Sequence, residues 1–255
     1  MKKYTLNKTV RRIIGVLLLL LLWQLLSLLI KDDSFIFPSP IKTIIKVIEL
    51  LNDSYTYRCV LQTMIRMLLG FVISIILAFI IGVIAGNSET IQEIIKPTIT
   101  IFKSIPTACL VYLFLLIFGA RITPMIIVVL ISFPILYESI VGGIKATPKS
   151  LIEACEIDGA SLFCLNMKVK IPLAIPYIVV GVSSSFSLSL KIEIMAEVIT
   201  GYTRLGLGSA ILSSQRNDPT NLVSVFAYSF IAIVIMLIFD NISNYIKQKF
   251  ESRYM

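Results

Sequence analysis

The sequence has no histidine, one tryptophan and only four cysteines among its 255 residues. The cysteines, Cys59, Cys109, Cys155 and Cys164, show no Cys-x-x-Cys spacing. Without imidazole or paired thiols, the chain lacks the ligand sets of zinc and haem sites and the base of a His-dependent triad. We therefore expect no metal and interpret the cysteines as small buried apolar residues. The sequence also lacks a GxxxxGK[ST] phosphate loop, so we expect no cofactor on this chain.

Charged residues are scarce as well, at 15%, whereas 57% of residues are apolar and the mean hydropathy is +0.92. This composition is too apolar for an ordinary water-soluble globule, so lipid is the expected solvent. The formal charge of +8 is scattered over short loops and the termini. That distribution favours contact with anionic lipid and a role in membrane topology, and it argues against a nucleic-acid partner.

Apolar stretches long enough to cross a bilayer predict an all-α polytopic membrane protein with about six transmembrane helices. We expect residues 1–255 to form a single transmembrane domain. The predicted spans are Ile13–Ile30, Thr63–Ala85, Ile99–Phe118, Ile122–Ile140, Ile175–Leu190 and Leu222–Ile246.

The first apolar run follows a basic N-terminal segment, which is typical of a signal peptide or of a first transmembrane helix. We favour the helix, because Lys31-Asp32-Asp33 follows the run where a signal peptide would have small residues. With the N-terminus inside, more of the 23 basic residues face the cytoplasm than the exterior. The positive-inside rule then predicts that both termini are cytoplasmic.

Between the first two spans, Phe37-Pro38-Ser39-Pro40 interrupts regular structure. Apolar residues then recur at helical spacing and predict an amphipathic helix on the outer surface. These residues are Ile41, Ile44, Ile45, Ile48 and Leu51.

The longest cytoplasmic connection, residues 141–172, contains signals for two short helices that meet at a glycine. Thr147 is a candidate cap and Pro148 a candidate first residue of a helix ending near Asp158. Gly159 suits the left-handed position after a helix, and Ser161 is a candidate cap for a helix that reaches Lys168. Pro172 is expected to block its continuation.

The same loop carries Glu153-Ala154-Cys155, three residues, Gly159, nine residues, and Val169-Lys170-Ile171-Pro172. This pattern resembles the EAA loop of bacterial ABC import permeases, which reads Glu-Ala-Ala, three residues, Gly, nine residues, Ile-x-Leu-Pro. The chain departs from it at Cys155, Val169 and Ile171, and it retains the spacing.

The resemblance implies a type I ABC importer permease fold and a coupling helix that docks on a separate cytoplasmic ATPase subunit, which would bind the ATP. It also implies a place in a bacterial plasma (inner) membrane, an extracytoplasmic substrate-binding protein and a second permease copy, most simply in a homodimer. The alternative interpretation of the loop is a helical hairpin on the membrane surface with a solvated Glu153. The predicted coupling residues are Glu153, Ala154, Cys155, Gly159, Ala160, Val169, Ile171 and Pro172.

Further short motifs resemble one branch of that family, which imports sulfonates, taurine, nitrate, bicarbonate and some vitamin precursors. They are Phe37-Pro38-Ser39-Pro40, Ser104-Ile105-Pro106, Ala196-Glu197-Val198, Gly201 and Leu205-Gly206-Leu207-Gly208.

Ser185, Ser189, Glu193 and Glu197 recur every four residues and form a polar stripe on the fifth predicted span. Polar groups inside a bilayer face protein or water, so the stripe is a candidate for the translocation path, with both glutamates near its outer mouth. For the serines an equally good interpretation is close packing of helices. Arg66, within the second span, is better explained by an internal salt bridge than by contact with substrate.

The two glutamates have no nucleophile, metal-ligand set or histidine with them, so we do not expect an enzyme. An alternative function is an ion-driven secondary transporter, in which Glu193, Glu197 or Arg66 binds protons or ions. An intramembrane enzyme is a weaker alternative, since it needs reactive groups at membrane depth. The sequence alone does not identify the substrate.

Overall fold

The computed structural model describes residues 8–30, 37–201 and 205–254. Every regular element in this part of the chain is helical, as predicted. The helices are α1 (Lys8–Leu29), α2 (Pro40–Leu51), α3 (Ser54–Gly86), α4 (Glu89–Ser104), α5 (Thr107–Phe118), α6 (Thr123–Lys145), α7 (Lys149–Ile157), α8 (Leu162–Leu165), α9 (Ile171–Thr200), α10 (Leu207–Asn217) and α11 (Val223–Tyr254).

The chain divides into two compact units, one formed by Met1–Tyr57 with Ala210–Ala232 and the other by Arg58–Ser209 with Ile233–Met255. In the first unit, the indole of Trp23 on α1 donates a hydrogen bond to the carbonyl oxygen of Pro38 at 3.1 Å. The Trp23 ring also stacks on Phe226, with 6.2 Å between ring centroids. These contacts tie the segment before α2 to α1 and α11.

Helix α2 begins where the sequence predicts it. The Ser39 hydroxyl accepts a hydrogen bond from the backbone N–H of Lys42 at 3.4 Å, and Pro40 occupies the first turn. The apolar residues at helical spacing, Ile41 and Ile48 among them, are exposed along one face of α2. This helix is therefore amphipathic, as expected.

In the second unit, α6 and α9 pack closely through small residues. A Cβ added at Gly143 would lie 2.8 Å from the Cβ of Ala174, and one added at Gly181 would overlap the side chain of Ser139. The glycines therefore set the distance between the two helices, and larger residues would push the helices apart.

Four helical segments of the described residues are long and apolar enough to cross a membrane. They are Ser54–Gly86, Thr123–Lys145, Leu162–Thr200 and Val223–Phe250. A shorter apolar helix covers Ile14–Leu29. The residues before Lys8 and the Lys31-Asp32-Asp33 segment, which entered the prediction of the first span, lie outside the described residues. The count of six spans stays a prediction.

The predicted third span, Ile99–Phe118, is divided between two helices in the structure. Helices α4 and α5 meet at a bend of 100°, and the pair counts as a fifth crossing only if both helices form one broken span. Pro106 causes the break, because a residue that precedes proline is disfavoured in helical conformation. Ile105 accordingly has extended backbone angles, φ −75° and ψ 129°.

Candidate functional site

Helix α7 in the loop between α6 and α9 begins one residue away from the predicted cap. Pro148, and not Thr147, precedes the first helical residue, and its φ of −59° and ψ of 134° are extended. The Thr147 hydroxyl is buried and has no hydrogen-bond partner among the described residues, so its predicted capping role is wrong. The reason is its position one residue too early to reach the free N–H groups of the first turn.

Gly159 has φ of +75°, the left-handed conformation predicted for it. The backbone N–H of Gly159 donates to the oxygen of Glu156 at 3.0 Å, and that of Ala160 donates to the oxygen of Cys155 at 2.9 Å. The Ser161 hydroxyl then accepts from the N–H of Cys164 at 3.3 Å, which confirms this cap. The turn is therefore closed by its own hydrogen bonds.

The expected stop at Pro172 is wrong, since the chain runs from α8 through a π-helical turn, Asn166–Lys170, directly into α9. Pro172 lies in the first turn of α9. Proline lacks an N–H and its ring crowds the carbonyl one turn earlier, and a widened π turn accommodates both effects.

The loop exposes large apolar side chains on both sides of Gly159. Ile157 is 86% exposed, and Leu162 and Phe163 are 74% and 72% exposed. Around them, the predicted coupling residues Glu153, Ala154, Gly159 and Pro172 are exposed. The others, Cys155, Ala160, Val169 and Ile171, are half-buried.

The loop is also held to the end of α3 by a contact that the sequence analysis missed. The Lys170 ammonium donates to the side-chain oxygen of Asn87 at 2.7 Å. Leu165 is buried, at 2% exposure, between the exposed residues of α8 and the π turn. The exposed apolar side chains are therefore presented by an anchored segment.

The polar stripe on α9 is buried within the second unit. Ser185 donates to the oxygen of Gly181 at 2.6 Å, and Ser189 donates to the oxygen of Ser185 at 2.7 Å. The hydroxyl of Ser132 on α6 lies 2.7 Å from that of Ser189. These bonds match the helix-packing interpretation of the serines, and their role in translocation stays a prediction.

Glu197 lies at the centre of a network that we call the clamp, formed by Thr63, Arg66, Glu197 and the segment 205–208. The Thr63 hydroxyl lies 2.9 Å from both carboxylate oxygens of Glu197. Arg66 Nη2 lies 2.5 Å from Glu197 Oε1 and 2.7 Å from the carbonyl oxygen of Leu205, to which it also donates. Arg66 therefore forms the internal salt bridge that the sequence analysis favoured.

The segment 205–208 enters the clamp through its backbone. The N–H of Leu207 donates to the Thr63 hydroxyl, and the N–H of Gly208 donates to Glu197 Oε2, each at 2.8 Å. A Cβ at Gly206 would lie 2.6 Å from Arg66 Nη2, and one at Gly208 would lie 2.7 Å from the Cβ of Glu197. Only glycine at these two positions lets the backbone approach so closely.

The structure brings Arg66, for which the sequence analysis named no salt-bridge partner, to Glu193 and Glu197 of the polar stripe. Arg66 Nε lies 3.5 Å from Glu193 Oε1, and neither glutamate side chain is exposed. Sequence reasoning missed Thr63. The available signal was its position three residues before Arg66, which places two polar side chains on one face of an otherwise apolar helix.

A separate cavity of about 460 Å³ opens between α3, α4 and α6. No residue of the predicted translocation stripe lines it, so this cavity does not contain the predicted path. Its lining residues are Ile81, Ile84, Ile91, Ile94, Ile95, Thr98 and Phe133.

Comparison with known sequences gives a family match over most of the chain. Residues 70–252 match the family described as binding-protein-dependent transport system inner membrane component. The glycine betaine transport system permease protein OpuAB of Bacillus subtilis is 31% identical over 195 residues, covering 76% of this chain and 67% of that protein. The riboflavin transport system permease protein RibX of Chloroflexus aurantiacus is 29% identical over 228 residues, covering 89% and 84%. A putative aliphatic sulfonates transport permease protein of Bacillus subtilis, SsuC, is 23% identical, covering 89% and 82%.

Two solved structures have a similar fold. A chain of an amino acid ABC transporter, crystallised with histidines, superposes with a TM-score of 0.65 at 19% identity, covering 81% of this chain and 97% of that one. An inward-facing MetNI methionine ABC transporter gives a TM-score of 0.61 at 17% identity, covering 80% and 98%. At these identities the similarity concerns the fold.

Proposed function

Because the chain belongs to the family of inner membrane components of binding-protein-dependent transport systems, we propose that its loop 141–172 couples solute passage to ATP hydrolysis on a separate subunit. The chain itself is a transmembrane permease subunit of an ABC importer for a small solute. The proposal concerns how this subunit receives energy, what it carries and what it assembles with.

The observation that carries the coupling proposal is the exposure of Ile157, Leu162 and Phe163 around the Gly159 turn. Several large apolar side chains exposed this close together in the sequence are unfavourable in water and are typical of a protein interface. Helix α7 presents Glu153 beside this surface, where the carboxylate can pair with a basic group of the partner. The internal bonds of the turn hold the surface in shape before a partner binds.

The open space around Gly159 favours a protein partner that packs close to the backbone of this turn. Apart from Gly159 itself and its two chain neighbours, no residue of the described chain has an atom within 4 Å of a Cβ built at this glycine. The positive φ accounts for glycine here, and the open space around it admits a partner surface. The membrane-surface hairpin, the other interpretation of the loop, requires no such partner.

The remaining features of the importer follow from the family. We propose six spans with both termini in the cytoplasm, a second permease copy, most simply an identical one, and an extracytoplasmic substrate-binding protein. The three relatives described above are named for the transport of glycine betaine, riboflavin and aliphatic sulfonates. We propose a small solute of this range for this chain, with the sulfonate and vitamin-precursor branch as the narrower expectation from its short motifs.

The test is retention of an ATPase subunit when the full-length chain is purified in mild detergent from its own host. Ile157→Asp, Glu153→Lys and Gly159→Asp should lose most of the ATPase that the wild type retains. Thr220→Asp is the matched control, because this exposed residue lies in the first unit and outside the loop. It should retain the subunit.

A wild-type chain that retains no ATPase under any condition would contradict the coupling proposal. Transport that survives ATP depletion and collapses with the ion gradient would favour the ion-driven alternative. Equal retention by all three loop variants would instead place the ATPase contact elsewhere on the chain.

A further inference from the structure

One buried carboxyl group of the second unit takes no part in the clamp. Glu193 lies one helical turn before Glu197 on α9, and its side chain has no exposed surface. Within the described residues, neither of its carboxyl oxygens accepts a hydrogen bond. The charged group beside it is the Arg66 guanidinium, whose Nε lies 3.5 Å from Glu193 Oε1.

The charges of this cluster do not balance. Arg66 brings one positive charge to Glu193 and Glu197, so the cluster would carry a net charge of −1 if both carboxyl groups were ionised. The positive charge of Arg66 lies closer to Glu197 than to Glu193, because Arg66 Nη2 is 2.5 Å from Glu197 Oε1. Thr63 and the N–H of Gly208 also donate to Glu197, and such donors stabilise the ionised form.

The helix that packs on α9 presents apolar side chains at this level. Ser139 on α6 lies beside Gly181 on α9, and Ser132 lies beside Ser189. The two helices are antiparallel, so the same register places Val128 of α6 near Glu193. Val128 is fully buried. The acidic group of α6, Glu138, is farther along the helix and forms an exposed ion pair with Lys103.

Other titratable groups of the neighbouring helices add no positive charge to the cluster. Cys59 on α3 and Tyr137 on α6 are buried, and neither side chain is a cation. Arg58 on α3 and Lys191 on α9 are exposed, as are Cys109 and Tyr112 on α5. Arg204 lies outside the described residues. In the described part of the second unit, Glu193 therefore has no second cation beside it.

We propose that Glu193 is a proton-binding site. While the clamp is closed and Glu197 is ionised, the Glu193 side chain carries a proton and is a neutral carboxylic acid. A carboxylate without donors in apolar surroundings is unfavourable, and binding a proton removes its charge. The proton comes from water and returns to water when the clamp opens and Glu193 becomes hydrated. No electron transfer or covalent change accompanies this step.

The proposal is tested by infrared spectroscopy of the full-length chain in lipid nanodiscs at neutral pH. A protonated carboxylic acid has a C=O stretching band that a carboxylate lacks. We expect this band in the wild type, its loss in Glu193→Gln, and its retention in Glu138→Gln. The Glu138 variant is a matched control, since it makes the same change in an exposed ion pair.

Two further variants assign the proton within the coupled pair. Glu193→Asp should shift the band, because the absorbing group itself changes, and Glu197→Asp should leave it in place. A shift in Glu197→Asp alone would put the proton on Glu197 and overturn the proposal. A wild-type spectrum without the band would overturn it as well. This readout does not depend on an ATPase, so it can fail independently of the coupling proposal.

Discussion

Thr63 and Glu197 are 134 positions apart in the sequence, and the hydroxyl of the first lies 2.9 Å from both carboxylate oxygens of the second. The same hydroxyl accepts the N–H of Leu207. Helices α3 and α9 and the first residue of α10 are thus joined at one threonine. Four predictions concern this clamp, its glycine Gly208 and the loop 141–172.

Replacing Thr63 with valine keeps the shape of the side chain and removes the hydroxyl. The buried N–H of Leu207 then lacks its acceptor, so we expect a loss of about 1–3 kcal/mol in the free energy of unfolding. Thr100→Val is the control, because Thr100 is exposed and bonds within its own helix. Thermal unfolding in detergent should show a lower midpoint for Thr63→Val alone, and equal midpoints would contradict the role of Thr63.

Glu197→Gln should destabilise the protein far more than Glu138→Gln does. Removing one partner of a buried ion pair costs about 3–5 kcal/mol, whereas an exposed pair such as Lys103–Glu138 contributes about 0–1 kcal/mol. The measurement is chemical unfolding of both variants in the same detergent. Similar losses for the two variants would show that the clamp contributes little to stability.

Gly208→Ala should loosen the clamp through its backbone. The added Cβ would meet the backbone nitrogen of Val198 at 2.9 Å, and backbone cannot move aside as a flexible side chain can. Gly142→Ala adds the same methyl group to α6, where no atom lies within 4 Å, and should be neutral or slightly stabilising. Faster proteolysis at residues 201–209 in Gly208→Ala alone would agree with this prediction, and equal cleavage of both variants would not.

The proposed orientation of the loop can be tested with its own thiols. Cys155 and Cys164 are both partly exposed, whereas Cys59 is fully buried. A membrane-impermeant maleimide should label single-cysteine versions of the loop thiols in inverted vesicles and not in right-side-out vesicles. A Cys59-only chain should remain unlabelled in both. Labelling of the loop thiols from outside would reverse the proposed topology.

Local signals in the sequence predicted some elements well and others poorly. Ser39, Gly159 and Ser161 act as expected, because a cap or a left-handed glycine depends on backbone within a few residues. Thr147 and Pro172 did not follow the same rules. The burial of Thr147 and the π turn before Pro172 depend on how the loop joins two long helices, which local sequence does not specify.

The sequence by itself determined that lipid is the solvent, that the chain is helical and where most spans lie. It also determined the helical hairpin with its EAA-type spacing. All of these features follow from hydrophobic length and local backbone preferences. The tertiary structure decided which polar groups meet. Helical spacing put Ser185, Ser189, Glu193 and Glu197 on one face, but only the packing of α3, α6 and α9 showed that this face is buried. It also decided that Glu197 receives the donors and Glu193 none, because hydrogen bonds and charge pairing in a membrane depend on distances between helices far apart in sequence.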